Sequence, residues 1–359
     1  MLQLISTKTR EFKMSWCVLI VFLSTLNACE QNDSEIRVQH VKNKVIIADQ
    51  NVSARCWVFD SSLDQLTYCQ GRFLVSYKVP TNSLDTIYRA PFELGSFVKN
   101  SSNMYYVTES YSGNIYKLKS GNEIVPIVQN ADHYNINQWN APIQLSNNKL
   151  YFTQAPKGVS RDAMHLQKME YMLTLDGSND MRPFCPYQFS VYTSDYQLIG
   201  LEFSKVILGD LCYISLPIDH RIYIFKSGQL FDSILKPSKA LAKYKFPIFS
   251  SESKDYQSAK LDYVTTTGRY GKMVYLKHIN SLARLAIHPQ GLKNQDGFTN
   301  SSTNNLTLQI ISLDANTTRD VPLNANYKRD LIPYKNGILI QKNLDKDHSA
   351  FDYFDISIM

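Results

Sequence analysis

The residues of this chain that are spaced for chemistry suit recognition better than catalysis. The segment His133-Tyr134-Asn135-Ile136-Asn137-Gln138-Trp139-Asn140 interleaves aromatic rings with amides. Rings that stack on a flat ligand face, beside amides that donate and accept, suit a glycan or peptide. Tyr134, Trp139 and Asn140 are therefore candidate ligand-binding residues, with ordinary loop composition as the alternative. Asp176-Gly177-Ser178-Asn179-Asp180 alternates oxygen side chains as a calcium loop does. It lacks the downstream bidentate Glu and reads as a hairpin turn. The seven histidines, at 40, 133, 165, 220, 278, 288 and 348, include no pair at i, i+4 beside a Glu. No G-x-S-x-G, P-loop or dinucleotide fingerprint occurs. No catalytic residue, metal or cofactor is assigned, and a site gathered from distant loops stays open as the alternative.

The cysteines carry a different chemistry. Lys8, Arg10 and Lys13 precede an uncharged run, Met14–Leu26, that is too short to span a bilayer, for which a helix needs about 20 residues. A basic stretch before a short apolar core is the layout of a secretory signal peptide. The run ends in Leu26-Asn27-Ala28-Cys29, which resembles the bacterial lipobox, and the polar residues Glu30–Glu35 follow. That resemblance implies acylation of the Cys29 thiol and cleavage before it. Residues 1–28 are then a signal peptide and 29–35 a short tether. Multiple acyl chains would hold the protein stably at a membrane, and the sorting residues lean towards the outer membrane.

Of the six cysteines, Cys56, Cys69, Cys185 and Cys212 remain in the folded part. Cys56 and Cys69 flank the turn-like Asp60–Asp64, so a hairpin would set them opposite each other. An oxidising envelope permits that disulfide, and small buried hydrophobes are the alternative. No Cys/His spacing fits zinc. The net charge of +6 falls to +4 without the leader and is spread thinly. No basic cluster points to nucleic acid.

The elements that must position these residues repeat. Tyr105–Val128 aligns without gaps on Cys212–Leu235, with seven of 24 positions identical, Lys119-Ser120-Gly121 matching Lys226-Ser227-Gly228. Both segments read as strand, break, strand, turn, strand. Gly121 and Gly228 sit where a tight turn needs positive φ. Similar strand pairs recur with unit starts near 45, 105, 150, 212, 273 and 338, about 59 residues apart. A chain that is 44% hydrophobic with 23 Tyr has ample apolar surface for a core, which excludes disorder. Six such units predict an all-β, six-bladed β-propeller with four-stranded blades over residues 36–359. A pair of β-sandwiches is the alternative. The last unit ends after its third strand, so Ile36–Val41 is expected to supply the fourth and close the ring.

Lipobox, six units and the Tyr-rich Gly268-Arg269-Tyr270-Gly271-Lys272-Met273-Val274-Tyr275-Leu276 together resemble the six-bladed, TolB-like propeller lipoproteins of Bacteroidota. Members often have Tyr-Arg where this chain has Leu276-Lys277. The resemblance implies fold and envelope location, and carries no catalytic residues. The expected role is a membrane-anchored binding or scaffold module whose partner is an envelope protein, a peptide or a glycan. An envelope hydrolase or lyase with its site at the central channel is the alternative.

Overall fold

Alternating apolar residues in short runs, broken by Gly, Asn and Asp, give strands joined by tight turns. The computed structural model describes residues 36–47, 55–60, 62–119, 123–135, 141–157, 169–176, 180–186, 203–217, 219–242, 268–288, 305–323, 327, 330–343 and 349–358. After a first strand, β1 (Ile36–Ile47), blade 1 contains β2 (Arg55–Asp60), β3 (Gln65–Gln70), β4 (Phe73–Lys78) and β5 (Ser83–Arg89). Blade 2 contains β6 (Leu94–Lys99), β7 (Tyr105–Glu109), β8 (Ile115–Leu118) and β9 (Ile124–Val128). In blade 3 the innermost position is split between β10 (His133–Asn135) and β11 (Gln144–Ser146). Both pair with β12 (Lys149–Pro156), which leads to β13 (Met169–Thr174) and β14 (Met181–Pro186). Blade 4 runs through β15 (Ser204–Leu208), β16 (Leu211–Ser215), β17 (Arg221–Lys226) and β18 (Gln229–Leu235). Blade 5 runs through β19 (Arg269–Leu276), β20 (Ser281–Ile287), β21 (Leu306–Ser312) and β22 (Thr318–Leu323). Blade 6 has β23 (Ile332–Tyr334), β24 (Gly337–Asn343) and β25 (Ser349–Ile358), and β1 completes it.

All pairings are antiparallel, and the inner strands meet in a closed cycle: β2, β6, β11, β15, β19, β23 and back to β2. The ring closes through β1 on β25, from Ile36↔Ile358 to Ile47↔Ser349, as expected for the Ile36–Val41 segment. A buried cluster locks this closure. Asp352 accepts from His40 (2.9 Å), Lys342 (2.8 Å) and the Tyr327 hydroxyl, and the His40 ring stacks on Phe354. Burial, then Asp352, pushes the Tyr327 phenol far above its ordinary value.

The core is not one mass but six seams. Separate apolar clusters fill the junctions of blades 1 and 2, 2 and 3, 3 and 4, 4 and 5, 5 and 6, and 6 and 1. Both faces of each blade are covered, so a blade on its own would expose a whole sheet face, and the strands hold only as a ring. The middle strands accordingly read as nearly continuous apolar runs, such as Ile222–Phe225, all buried.

The unit starts near 105, 150, 212 and 338 fall on β7, β12, β16 and β24, each the second strand of its blade. The start near 273 lies within inner strand β19, and the one near 45 within the closing strand β1. The inner strands hid because they are short and buried on both faces, so they show little alternation, as Leu94–Phe97 does. The turn expected at Gly228 is present: Ser227 and Gly228 both have positive φ, 50° and 84°, between the paired residues Lys226 and Gln229. That is the geometry of a two-residue hairpin turn. Gly121 lies outside the described residues.

One feature of the repeat is invisible in the sequence. The outer strands of blades 1 to 4 each carry one extra residue: Ile87, Ile127 and Phe184 near the end of the strand, and Phe231 near its start. The first three pack into the seam with the next blade. Phe231 instead stays 65% exposed.

Candidate functional site

The ring leaves a cavity of about 240 Å³ along the channel, lined by inner-strand residues including Trp57, Gln144, Lys205 and Lys272. Two of these follow irregularities that re-aim side chains. In β2 the pairing jumps from Arg55↔Cys69 to Trp57↔Tyr68, leaving Cys56 as the extra residue at φ 52°. In β19 it jumps from Tyr270↔Ala286 to Met273↔Arg284, so Gly271 and Lys272 together oppose Leu285. Trp57 rests on Tyr68 and Phe351, with ring centroids 4.4 and 5.2 Å away. Its indole nitrogen is buried without an acceptor among the described residues.

Gln144 bridges the inner strands of blades 3 and 4. Its amide nitrogen donates to the Lys205 carbonyl at 2.9 Å and its oxygen accepts from the Ile207 N–H at 2.8 Å. The side chain thus imitates a sheet rung where inner strands are not themselves paired. The lysines are held by acids. Lys205 bonds Glu170, both side chains fully buried, and Thr153 donates to the other Glu170 oxygen at 2.7 Å. Lys272 bonds Asp330, which is 23% exposed. Burying an ion costs several kcal/mol, and each pair answers that cost with a direct opposite charge.

Further polar groups collect in the neighbouring seams. Between blades 2 and 3, His133 bonds Asn130 (3.0 Å) and Tyr171 (3.3 Å), and Gln154 donates to the Gly113 carbonyl at 2.9 Å. Between blades 4 and 5, the fully buried Arg284 donates to Gln309 (2.7 Å), Ser215 (3.3 Å) and the carbonyls of His220 and Lys236 (3.0 and 2.7 Å). Its guanidinium lies 3.6 Å from the centre of the Tyr270 ring. Desolvation pulls Arg284 down to about 10, so it stays charged at neutral pH. Burial, and then this cation, lowers His220.

The residues singled out from the sequence are only partly within view. Tyr134 lies in β10 opposite Ala155, at the inner edge of blade 3, while Trp139, Asn140 and Cys29 lie outside the described residues. Cys56 and Cys69 are neighbours across β2 and β3, and both are buried. The Cys56 thiol donates to the Gly95 carbonyl of blade 2 at 3.7 Å. Asp180 pairs with Arg182 at 2.6 Å, and its carbonyl accepts from the Thr174 N–H, as in a hairpin end. Among the described residues, no group of three His, Cys, Asp or Glu side chains is placed to hold a metal.

Sequence reasoning missed Trp57, Gln144, Lys205 and Lys272. The one available signal was a Lys inside an otherwise apolar strand, as in Ser204-Lys205-Val206-Ile207-Leu208. A charge there must be paired or functional.

The comparisons agree with the geometry. No protein-family model matches the chain, and no curated protein is similar to it. Solved structures share the fold. A member of the DUF4221 family from Bacteroides vulgatus is 12% identical with a TM-score of 0.61, covering 90% of this chain and 97% of its own. A Xanthomonas campestris protein described as a gluconolactonase is 11% identical at a TM-score of 0.50, covering 92% of this chain and 93% of its own. A luciferin-regenerating enzyme is 9% identical, also at 0.50, over 89% and 95%. Identities this low establish the fold alone: an all-β, six-bladed propeller.

Proposed function

We propose that the chain is a lipid-anchored, TolB-like propeller lipoprotein of the bacterial envelope, held at the outer membrane through Cys29. In this reading it binds an envelope protein, a peptide or a glycan through one face of the ring. The observation that carries the binding role is the channel lining: an indole, a bridging amide and two lysines that are each neutralised by an acid. Such a lining suits recognition by shape and hydrogen bonds.

Capture from detergent-solubilised membranes tests the binding role. The full-length chain is expected to retain a partner that survives washing, and a Cys29→Ser chain is expected to lose membrane attachment. Mass spectrometry of the mature N-terminus checks the anchor, and an unacylated Cys29 rules it out. In the oxidising envelope we further propose that Cys56 and Cys69 pair, which non-reducing mass spectrometry reads as the loss of two hydrogens.

A hydrolase or lyase working at the channel is the second reading. Glu170 and Asp330 favour it as carboxylates beside the cavity, and a propeller described as a gluconolactonase shares the fold. Turnover of a lactone panel that vanishes in Asp330→Asn would establish that reading in place of binding.

A further inference from the structure

The outermost strand of each blade has a neighbour on one side only, so its outward N–H and C=O groups form an open edge. Five of the six outer strands carry residues that blunt such an edge. Pro126 lies in β9, Pro183 in β14 and Pro322 in β22. Asp85 and Arg89 lie in β5, and Arg37 and His40 in β1. The sixth, β18, reads Gln229-Leu230-Phe231-Asp232-Ser233-Ile234-Leu235, with no proline and a single charge. Eight large apolar side chains are exposed among the described residues, and three of them stand on this one strand. They are Leu230, Phe231 and Leu235, exposed by 58, 65 and 58%. Asp232 is the one residue there that would guard the edge, and Lys236, of opposite charge, follows it four positions on.

We propose that β18 is the interface of a two-fold dimer, in which two copies of this chain pair antiparallel about Ser233. Two identical edges related by a two-fold close on each other and leave none open, so association stops at two copies. The Ser233 N–H is not spent on β17. It bonds the Asp232 carboxylate at 2.7 Å in the open, so Ser233 is placed to exchange N–H···O bonds with Ser233 of the partner subunit. In that register Asp232 lies opposite Ile234 of the partner subunit and diagonal to the partner's Lys236 on the same face, within reach of a long side chain. Lys236 now donates to the exposed Asn316 carbonyl at 2.6 Å, a neutral acceptor that a carboxylate outbids. Leu235 meets the partner's Leu230 and the partner's Phe231, which takes exposed apolar surface out of water. The dimer uses the rim of blade 4, so it goes beyond the binding role proposed above and does not depend on it.

Sedimentation velocity on the full chain carrying Cys29→Ser, free of any acyl anchor, is expected to show reversible dimerisation across the micromolar range. A monomer throughout overturns the proposal. Ser233→Pro removes the outward N–H at an edge that tolerates proline, and Asp232→Lys sets like charges together. Each is expected to weaken the dimer at least tenfold with unchanged circular dichroism, and Asp232→Lys combined with Lys236→Asp to restore it. A dimer that survives both single variants overturns this surface. Should they not fold, Ser233→Cys decides. The two-fold sets that position against itself, so mild oxidation is expected to cross-link it, while Ser83→Cys on β5 stays uncross-linked. No more cross-linking at 233 than at 83 overturns the proposal. A chain that is monomeric alone but loses a captured partner on Ser233→Pro gives the edge to a foreign strand and overturns the dimer. Urea unfolding in dilute solution reads the dissociated chain, so it separates effects on the fold from effects on this interface.

Discussion

The seams on either side of blade 4 each bury a cation and neutralise it differently. Between blades 3 and 4, Lys205 meets Glu170 directly, both side chains at zero exposure. Between blades 4 and 5, Arg284 has no carboxylate among its hydrogen-bond partners in the described residues. Its charge is spread over two backbone carbonyls, an amide, a hydroxyl and the Tyr270 ring. The residue types explain the division. An ammonium is a compact point charge that one carboxylate can answer, whereas a guanidinium presents five donors in a planar fork and stacks on rings. The first arrangement places a neutral pair beside the channel. The second ties blade 4, the crossover after β18 and blade 5 together at one point.

The difference is sharpest when one partner is removed. Glu170→Ala strands Lys205 in the seam, and urea unfolding is expected to show a loss of about 3–5 kcal/mol. Glu170→Leu combined with Lys205→Met should recover most of that loss or exceed wild-type stability, because the desolvation cost disappears with the charges. If the double variant is as unstable as the single one, the pair is not an isolated unit.

Arg284→Met takes the cation itself away and leaves only acceptors. A smaller loss of about 2–3 kcal/mol is expected, from carbonyls deprived of donors. Arg284→Lys should lose nearly as much, since an ammonium cannot span four partners and the ring. Full rescue by Lys would show that charge, not fork geometry, holds this seam.

A third, half-buried clasp calibrates both. Lys99 of blade 2 bonds Asp60 of blade 1 at 2.7 Å and, with Ser62, holds its carboxyl down at about 2, below its ordinary 3.8. A depressed folded value means stability present above about pH 4 and lost as pH falls towards 2. Partial exposure limits the loss to about 1 kcal/mol. Lys99→Met should flatten that part of the stability profile, read as thermal midpoint against pH.

The smallest effect is expected at Phe231. Phe184, the extra residue of blade 3, is 8% exposed and packs in the seam between blades 3 and 4, whereas Phe231 is 65% exposed. Phe231→Ala should change stability by less than about 0.5 kcal/mol in the same urea assay. A larger loss would mean that Phe231 belongs to the core despite its exposure.

The alternation of apolar residues is local, and so most of the architecture was legible in it. Tyr105–Val128 against Cys212–Leu235 marks the second to fourth strands of blades 2 and 4, and the unit count with an incomplete last unit points to closure by Ile36–Val41. The inner strands were harder to see, because β15 and β6 are buried on both faces and lose the alternation that marks a strand with one wet side. The extra residues at Ile87, Ile127, Phe184 and Phe231 left no trace either, since a bulge is a relation between two strands.

By itself, then, the amino-acid sequence determined the β class, the six-fold repeat and the need for a closing strand. Those follow from side-chain period and from the count of units that must share a core. The tertiary structure alone decided which charges meet. Lys205 and Glu170 are 35 residues apart, Lys272 and Asp330 are 58 apart, and Arg284 and Ser215 are 69 apart. Each contact joins neighbouring blades or the crossover between them, so no local spacing rule encodes it. Trp57 reaches the channel for the same kind of reason: a one-residue irregularity in β2 and the closing of the ring put it there, and neither is written in its neighbours.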